Sequence, residues 1–151
     1  MIGRYLAGLF LTVIFLVFIC LASGFGLNVI LSIDVPSAIV VIVFPLLFMG
    51  VFYGWKNTGT AFSVLSRKDA NKEILINAKT FFENYGKTIF SISFIAFIVS
   101  FIAIMKDNED YGALGPNMAI ALTLLFYAGI INMVIIIPYK ILIKRKLIMM
   151  P

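Results

Sequence analysis

The sequence predicts an all-α membrane protein of four transmembrane helices, with N- and C-termini cytoplasmic and a short cytoplasmic helical loop between spans two and three. Hydrophobic residues make up 62% of its 151 residues and charged residues only 13%, whereas a soluble domain runs nearer to about half and a quarter. Four stretches, 5–33, 35–55, 88–105 and 111–139, hold no Asp, Glu, Lys or Arg. Each is long enough for a hydrocarbon core that takes about 20 helical residues, the third being the tightest fit. Eleven of the twelve Lys and Arg residues fall in segments that one orientation places on a single side. The spans are set at about 5–29, 36–55, 87–105 and 114–139, the loop at 56–86, and 1–151 is read as a single transmembrane domain.

Orientation follows from the basic residues, which stay cytoplasmic near span ends. The inner segments hold Arg4, then Lys56, Arg67, Lys68, Lys72, Lys79 and Lys87, then Lys140, Lys144, Arg145 and Lys146. The outer segments hold Lys106 against Asp34, Asp107, Glu109 and Asp110. Tyr5, Tyr53, Trp55, Tyr85 and Tyr139 gather at the inner interface, as aromatic belts do. The net charge of +5 is therefore a topology signal, and no nucleic-acid partner is expected.

The first span begins after Arg4 and loosens at Gly24 and Gly26. Arg4 before an apolar run ending in Ala22-Ser23-Gly24 also has the outline of a cleaved signal peptide, but the run exceeds the 7–15 residues of an h-region. Cys20, the single cysteine, can form no internal disulfide and reads as a small apolar residue. Pro36 opens the second helix, where its missing N–H costs nothing, and Pro45 should kink it in mid-span. In the loop, Thr58-Gly59-Thr60 reads as a turn. A helix is expected over 70–85, with Ile74, Ala78, Phe81 and Phe82 on one face and Ser66 or Asp69 as its cap. A loop of this size cannot form an independent domain, so it must pack on its own spans, the bilayer or a neighbouring subunit. The short acidic connection after Lys106 makes spans three and four antiparallel neighbours. The basic tail after Tyr139 is expected to lie at the anionic inner leaflet.

There is no histidine, and no charged residue lies inside any span. No nucleophile has a base beside it and no metal-ligand spacing occurs, so neither an enzyme nor a cofactor or metal is expected. Intramembrane ionisable groups mark proton relays and coupled transporters; any ion passing this chain needs a carrier from another subunit. Two small or polar stripes stand out. Gly86, Ser93 and Ser100 are spaced by sevens, about 20° apart per step, with Ala96 and Ala103 alongside. Asn117, Ala121, Ala128 and Asn132 fall within about 60° on span four. Such stripes either pack helices within one protomer or face a second protein or a wet pathway. Two neighbouring helices that each carry one favour the second reading.

The run Ala113-Leu-Gly-Pro-Asn-Met-Ala-Ile-Ala-Leu-Thr-Leu-Leu-Phe-Tyr-Ala-Gly129 resembles the last helix of the MotA/TolQ/ExbB family through Leu114, Gly115, Pro116, Ala119, Ala121, Leu122 and Tyr127. Pro138 falls where flagellar-type members carry a proline, and Asp34-Val-Pro-Ser with the aliphatic run to Ile42 resembles the opening of the family's second helix. The resemblance covers about half the chain. It implies an A-type subunit in a bacterial inner membrane, five copies of which ring a dimer of one-span B-type subunits. The partner's aspartate would carry a proton or sodium ion, and ion flow would drive mechanical work. The implied ion-path or partner-facing residues are Ser93, Ser100, Asn117, Ala121, Thr123, Leu125, Ala128 and Asn132, with Pro45 and Pro138 as structural kinks. Leu125 stands where members usually carry a threonine, with Thr123 two residues away. Ser93 and Ser100 are the nearest substitutes for the third helix's proline and threonine. The loop is far shorter than a flagellar torque-transmitting domain, leaving Arg67, Lys68 and Glu73 as cytoplasmic contact candidates. The rival expectations are a non-conducting four-helix membrane scaffold or accessory protein and, behind it, a homo-oligomeric channel.

Overall fold

The computed structural model describes residues 34–67, 71–106 and 111–149, with single helical positions between 6 and 18. Most of the first predicted span, including Cys20, Gly24 and Gly26, lies outside the described residues, as do Lys68, Asp69 and the connection 107–110. Every described element is helical: α1 (Val35–Tyr53), α2 (Trp55–Ser63), α3 (Lys72–Lys106), α4 (Tyr111–Ile131), a π-helical turn (Asn132–Ile136) and α5 (Ile137–Ile148). Three continuous stretches, Val35–Tyr53, Lys72–Lys106 and Leu114–Ile148, are long and apolar enough to cross a membrane, the pattern of a multi-pass membrane protein.

Pro36 sits in the first turn of α1, as expected of a residue with no N–H to lose there. Asp34 precedes it without capping the helix through its side chain. Its carboxylate instead accepts from the Ser37 hydroxyl, and its backbone N–H donates to the Tyr127 hydroxyl at 2.9 Å, tying α1 to α4. Pro45 lies inside α1, fully buried, where it removes the donor that would have met the carbonyl of Val41.

The second predicted span ran through 55, but α1 stops at Tyr53 and the chain turns at Gly54, the described residue with positive φ (83°). A side chain is strained in that region, which glycine visits freely. Beyond the elbow the Trp55 ring folds back onto α1; a Cβ on Gly50 would lie 2.7 Å from it. Thr58-Gly59-Thr60, expected as a turn, is helical within α2. The Thr58 and Thr60 hydroxyls bond the carbonyls of Gly54 (3.2 Å) and Lys56 (2.8 Å) one turn back. Burial of Thr58 and Ala61 offsets the roughly 1 kcal/mol penalty of a helical glycine.

The larger correction concerns 56–86. No break separates the predicted loop helix from span three: α3 is one helix of 35 residues, about 52 Å long at 1.5 Å per residue. Its cap is Asn71, whose Oδ1 accepts from the Ile74 N–H at 2.9 Å, rather than Ser66 or Asp69. The stretch Leu114–Ile148 is also 35 residues long. A hydrocarbon core is about 30 Å thick, so both long helices extend well past it.

These extensions build a second tier with α2. The face predicted from Ile74, Ala78, Phe81 and Phe82 does turn inward: Leu75, Ala78, Phe81 and Phe82 are buried and Ile74 partly so. Phe62 of α2 meets Phe81, Phe82 and Tyr85 edge-on at 5.7, 5.2 and 6.2 Å, and Tyr139 lies 4.9 Å from Phe82. The segment thus packs on its own chain. The tail joins it: Leu142 and Ile143 are buried, and Lys146 Nζ donates to the carbonyls of Arg67 (2.6 Å) and Val64 (3.3 Å), where α2 ends. The tail therefore docks on this tier through Leu142, Ile143 and Lys146.

Pro138 stands just after the π-helical turn, in which the Ile137 N–H bonds the carbonyl of Asn132. A proline ring clashes with the carbonyl four residues back, and a wider turn relieves that clash. Substituting Phe82 with Ala should destabilise the second tier by about 3–5 kcal/mol, read as a lowered unfolding midpoint of the purified chain. Lys146→Met should speed amide exchange across α5 and leave the membrane half of α3 unchanged, as hydrogen–deuterium exchange would detect.

Candidate functional site

α3 and α4 run antiparallel and bring their two stripes together. At the lower end Asn132 Nδ2 donates to the carbonyl of Ala128 at 3.0 Å, within its own helix, and reaches the carbonyl of Gly86 on α3 at 3.5 Å. The backbone approach is close: a Cβ on Gly86 would lie 2.7 Å from Asn132 Oδ1 and 3.0 Å from Ile136 Cγ2. Higher up, Ser93 and Ala128 are fully buried and Ala121 nearly so. The Ser93 hydroxyl is buried with no hydrogen-bond partner.

For this part of the stripes the geometry supports packing within one chain. Ser93, Ala121 and Ala128 are buried and Asn132 is half-buried at the α3–α4 contact, where small residues let helix backbones approach and an amide replaces lost water. The reason is local: each antiparallel helix offers its smallest face to the other, since that is where the most surface can be buried. The Thr123 hydroxyl donates to the carbonyl of Ala119 at 2.9 Å, within its own helix, and Thr123 and Leu125 are both partly buried.

The other end of the stripes opens. A groove of about 300 Å3 between α1, α3 and α4 is lined by Ser37, Ser100, Asn117, Ile120 and Ala121 among others. Asn117 is exposed, Ser100 partly buried and Ser37 buried. Asp34 stands beside the groove through its contact with Ser37. Sequence reasoning named Ser100, Asn117 and Ala121 but missed Ser37 as a wall residue. The available signal was the Asp34-Val-Pro-Ser motif, read only as a helix opening. The groove offers two hydroxyls, a carboxamide and a nearby carboxylate in an otherwise apolar setting. Such a set can receive a hydrogen-bonding or charged group carried on a partner helix.

The remaining named residues lie elsewhere. Glu73 is exposed in the first turn of α3, Arg67 is exposed at the far end of the second tier, and Lys68 lies outside the described residues. Among the described residues no group of three or more His, Cys, Asp or Glu side chains could hold a metal ion. No family model, curated protein or solved structure matches the chain.

Gly86→Ala should destabilise the fold by about 1–3 kcal/mol through overpacking, outweighing the roughly 1 kcal/mol gain in helix propensity. Adding Asn132→Ala should recover much of that loss. A double-mutant cycle on thermal unfolding of the detergent-solubilised chain would show the coupling, and additive effects would place the two residues out of contact.

Proposed function

We propose that the chain is the A-type subunit of an ion-driven membrane motor or energiser of the MotA/TolQ/ExbB class. Five copies would ring a dimer of one-span B-type subunits in a bacterial inner membrane, with both termini cytoplasmic. The observation that carries this reading is the groove at the open end of the stripes, where Ser37, Ser100 and Asn117 line a cleft between helices that carry no charge in mid-span. Ions do not cross such walls unaided, because a bare charge in hydrocarbon is costly. A partner helix bearing a carboxylate supplies what is missing, and hydroxyl and amide groups can hydrate it as it loads or releases a proton or sodium ion. The resemblance of 113–129 and of Asp34-Val-Pro-Ser to the family's last and second helices supports the same assignment. In this reading the chain performs no bond chemistry; it forms walls and transmits motion to a load.

A second reading is favoured by a different observation. Ser93, Ala128 and Asn132 are taken up in the chain's own packing, and Leu125 occupies the position where a threonine would line a path. This pattern suits a non-conducting scaffold that keeps the assembly and has lost the passage.

Two measurements test these readings. The complex purified in mild detergent should have the mass of a ring that retains a one-span protein, and a stable monomer or dimer alone would overturn the motor assignment. In vesicles containing the complex, Asn117→Leu should lower ion flux several-fold with partner retention intact if the groove serves the ion. Flux absent from the unaltered complex, with the ring intact, would select the scaffold.

A further inference from the structure

We infer that the elbow between α1 and α2 is a binding site for an anionic phospholipid with a hydroxylated headgroup, of the phosphatidylglycerol type. A cavity of about 260 Å3 lies between the foot of α1, α2 and the first half of α3. Its floor is apolar, formed by Ala61, Ala78 and Phe81, and its walls carry Tyr53, Asn57, Thr60 and Asn77. No charged side chain lines it.

The hydrogen-bonding groups there are only partly used. Asn57 spends a donor on the Tyr53 carbonyl at 2.9 Å, which leaves its Oδ1 to accept. Tyr53 accepts from Asn84 Nδ2 at 2.9 Å, so its own hydroxyl proton is free to donate. Thr60 donates to Lys56 at 2.8 Å and keeps its lone pairs. The exposed Asn77 side chain makes no hydrogen bond among the described residues and presents both a donor and an acceptor. A lining that mixes donors and acceptors matches hydroxyl groups, each of which is both. An ammonium headgroup, which only donates, leaves the Asn77 and Tyr53 donors unmatched.

The surroundings supply the rest of a lipid. Lys56 lies one turn before Thr60 on the same stripe of α2, at the membrane-proximal rim, where it meets a phosphate. Glu73 lies one turn before Asn77 on α3 at the distal rim, where it can accept from a headgroup hydroxyl. Phe52, next to Tyr53 at the foot of α1, is 72% exposed and offers acyl chains an apolar surface beside the elbow. The juxtaposition of apolar surface, cation and neutral polar pocket has the order of a phospholipid: chains, phosphate, polyol.

Trp55 is the single tryptophan; it opens α2 beside the elbow, outside the cavity lining, and is 58% exposed, so brominated acyl chains gathered at the elbow quench it. The test reconstitutes the full chain in phosphatidylcholine vesicles doped with phosphatidylglycerol or phosphatidylethanolamine whose acyl chains are brominated. Brominated phosphatidylglycerol should quench Trp55 at several-fold lower mole fraction than the ethanolamine lipid. Asn57→Leu with Asn77→Leu should abolish that preference while helical content stays unchanged. Lys56→Gln, which leaves the fold untouched, should weaken it about three-fold. Equal quenching by both lipids, or a preference that survives the double substitution, overturns the proposal. Water-soluble glycerophosphoglycerol shifting Trp55 emission without any brominated-lipid preference would assign the pocket to a soluble polyol and overturn the lipid assignment.

Discussion

The contact on which the rest of the structure depends is the close approach of α3 and α4 at Gly86 and Asn132. Two 35-residue helical stretches can pack along their whole length only if their surfaces stay complementary from one end to the other. At Gly86 the missing side chain lets the Asn132 amide and Ile136 enter the space a Cβ would fill. The amide in turn covers the carbonyl of Gly86, although a helical carbonyl already has one partner. Below this point the helices belong to the second tier; at the other end of the stripes they leave a groove against α1. Close packing of this kind transmits strain rather than absorbing it.

The same contact explains how the helix that continues α4 is re-aimed. Asn132 opens the π-helical turn that precedes Pro138, so the widened turn begins at the residue that meets Gly86. The wider turn accommodates the proline and directs α5 onto the aromatic cluster of Phe62, Phe82 and Tyr139. Lys146 then closes the far end by covering carbonyls where α2 ends. The second tier is therefore built from α2, the first half of α3 and the sequence-distant α5, none of which could bury an apolar face alone.

The proposed function and the lipid site lie at opposite ends of this scaffold. One uses hydroxyl and amide groups of α1, α3 and α4 at the groove, the other an elbow made by Gly54. Both rely on neutral polar groups held by rigid helices, consistent with a chain whose membrane-crossing stretches carry no charge in mid-span. A partner carboxylate and a lipid phosphate are each charges this protein would receive and position, rather than charges it owns.

Uncharged apolar stretches by themselves determined that 35–53, 88–105 and 114–139 lie in long helices, because water cannot solvate such runs and lipid demands internal backbone pairing. Helical spacing likewise determined which residues share a face, including Phe81 with Ala78 and Ser93 with Ser100. The tertiary structure alone decided what each face meets: Ser93 and Asn132 turned into the fold, while Asn117 stayed open. It also decided that α3 runs unbroken through Gly86 and that the chain bends at Gly54. Composition marks both glycines as possible breaks, yet one is held helical by the neighbour it admits and the other is free to take positive φ. Periodicity names a surface, and only the packing partner, fixed by what lies across the gap, gives that surface its use.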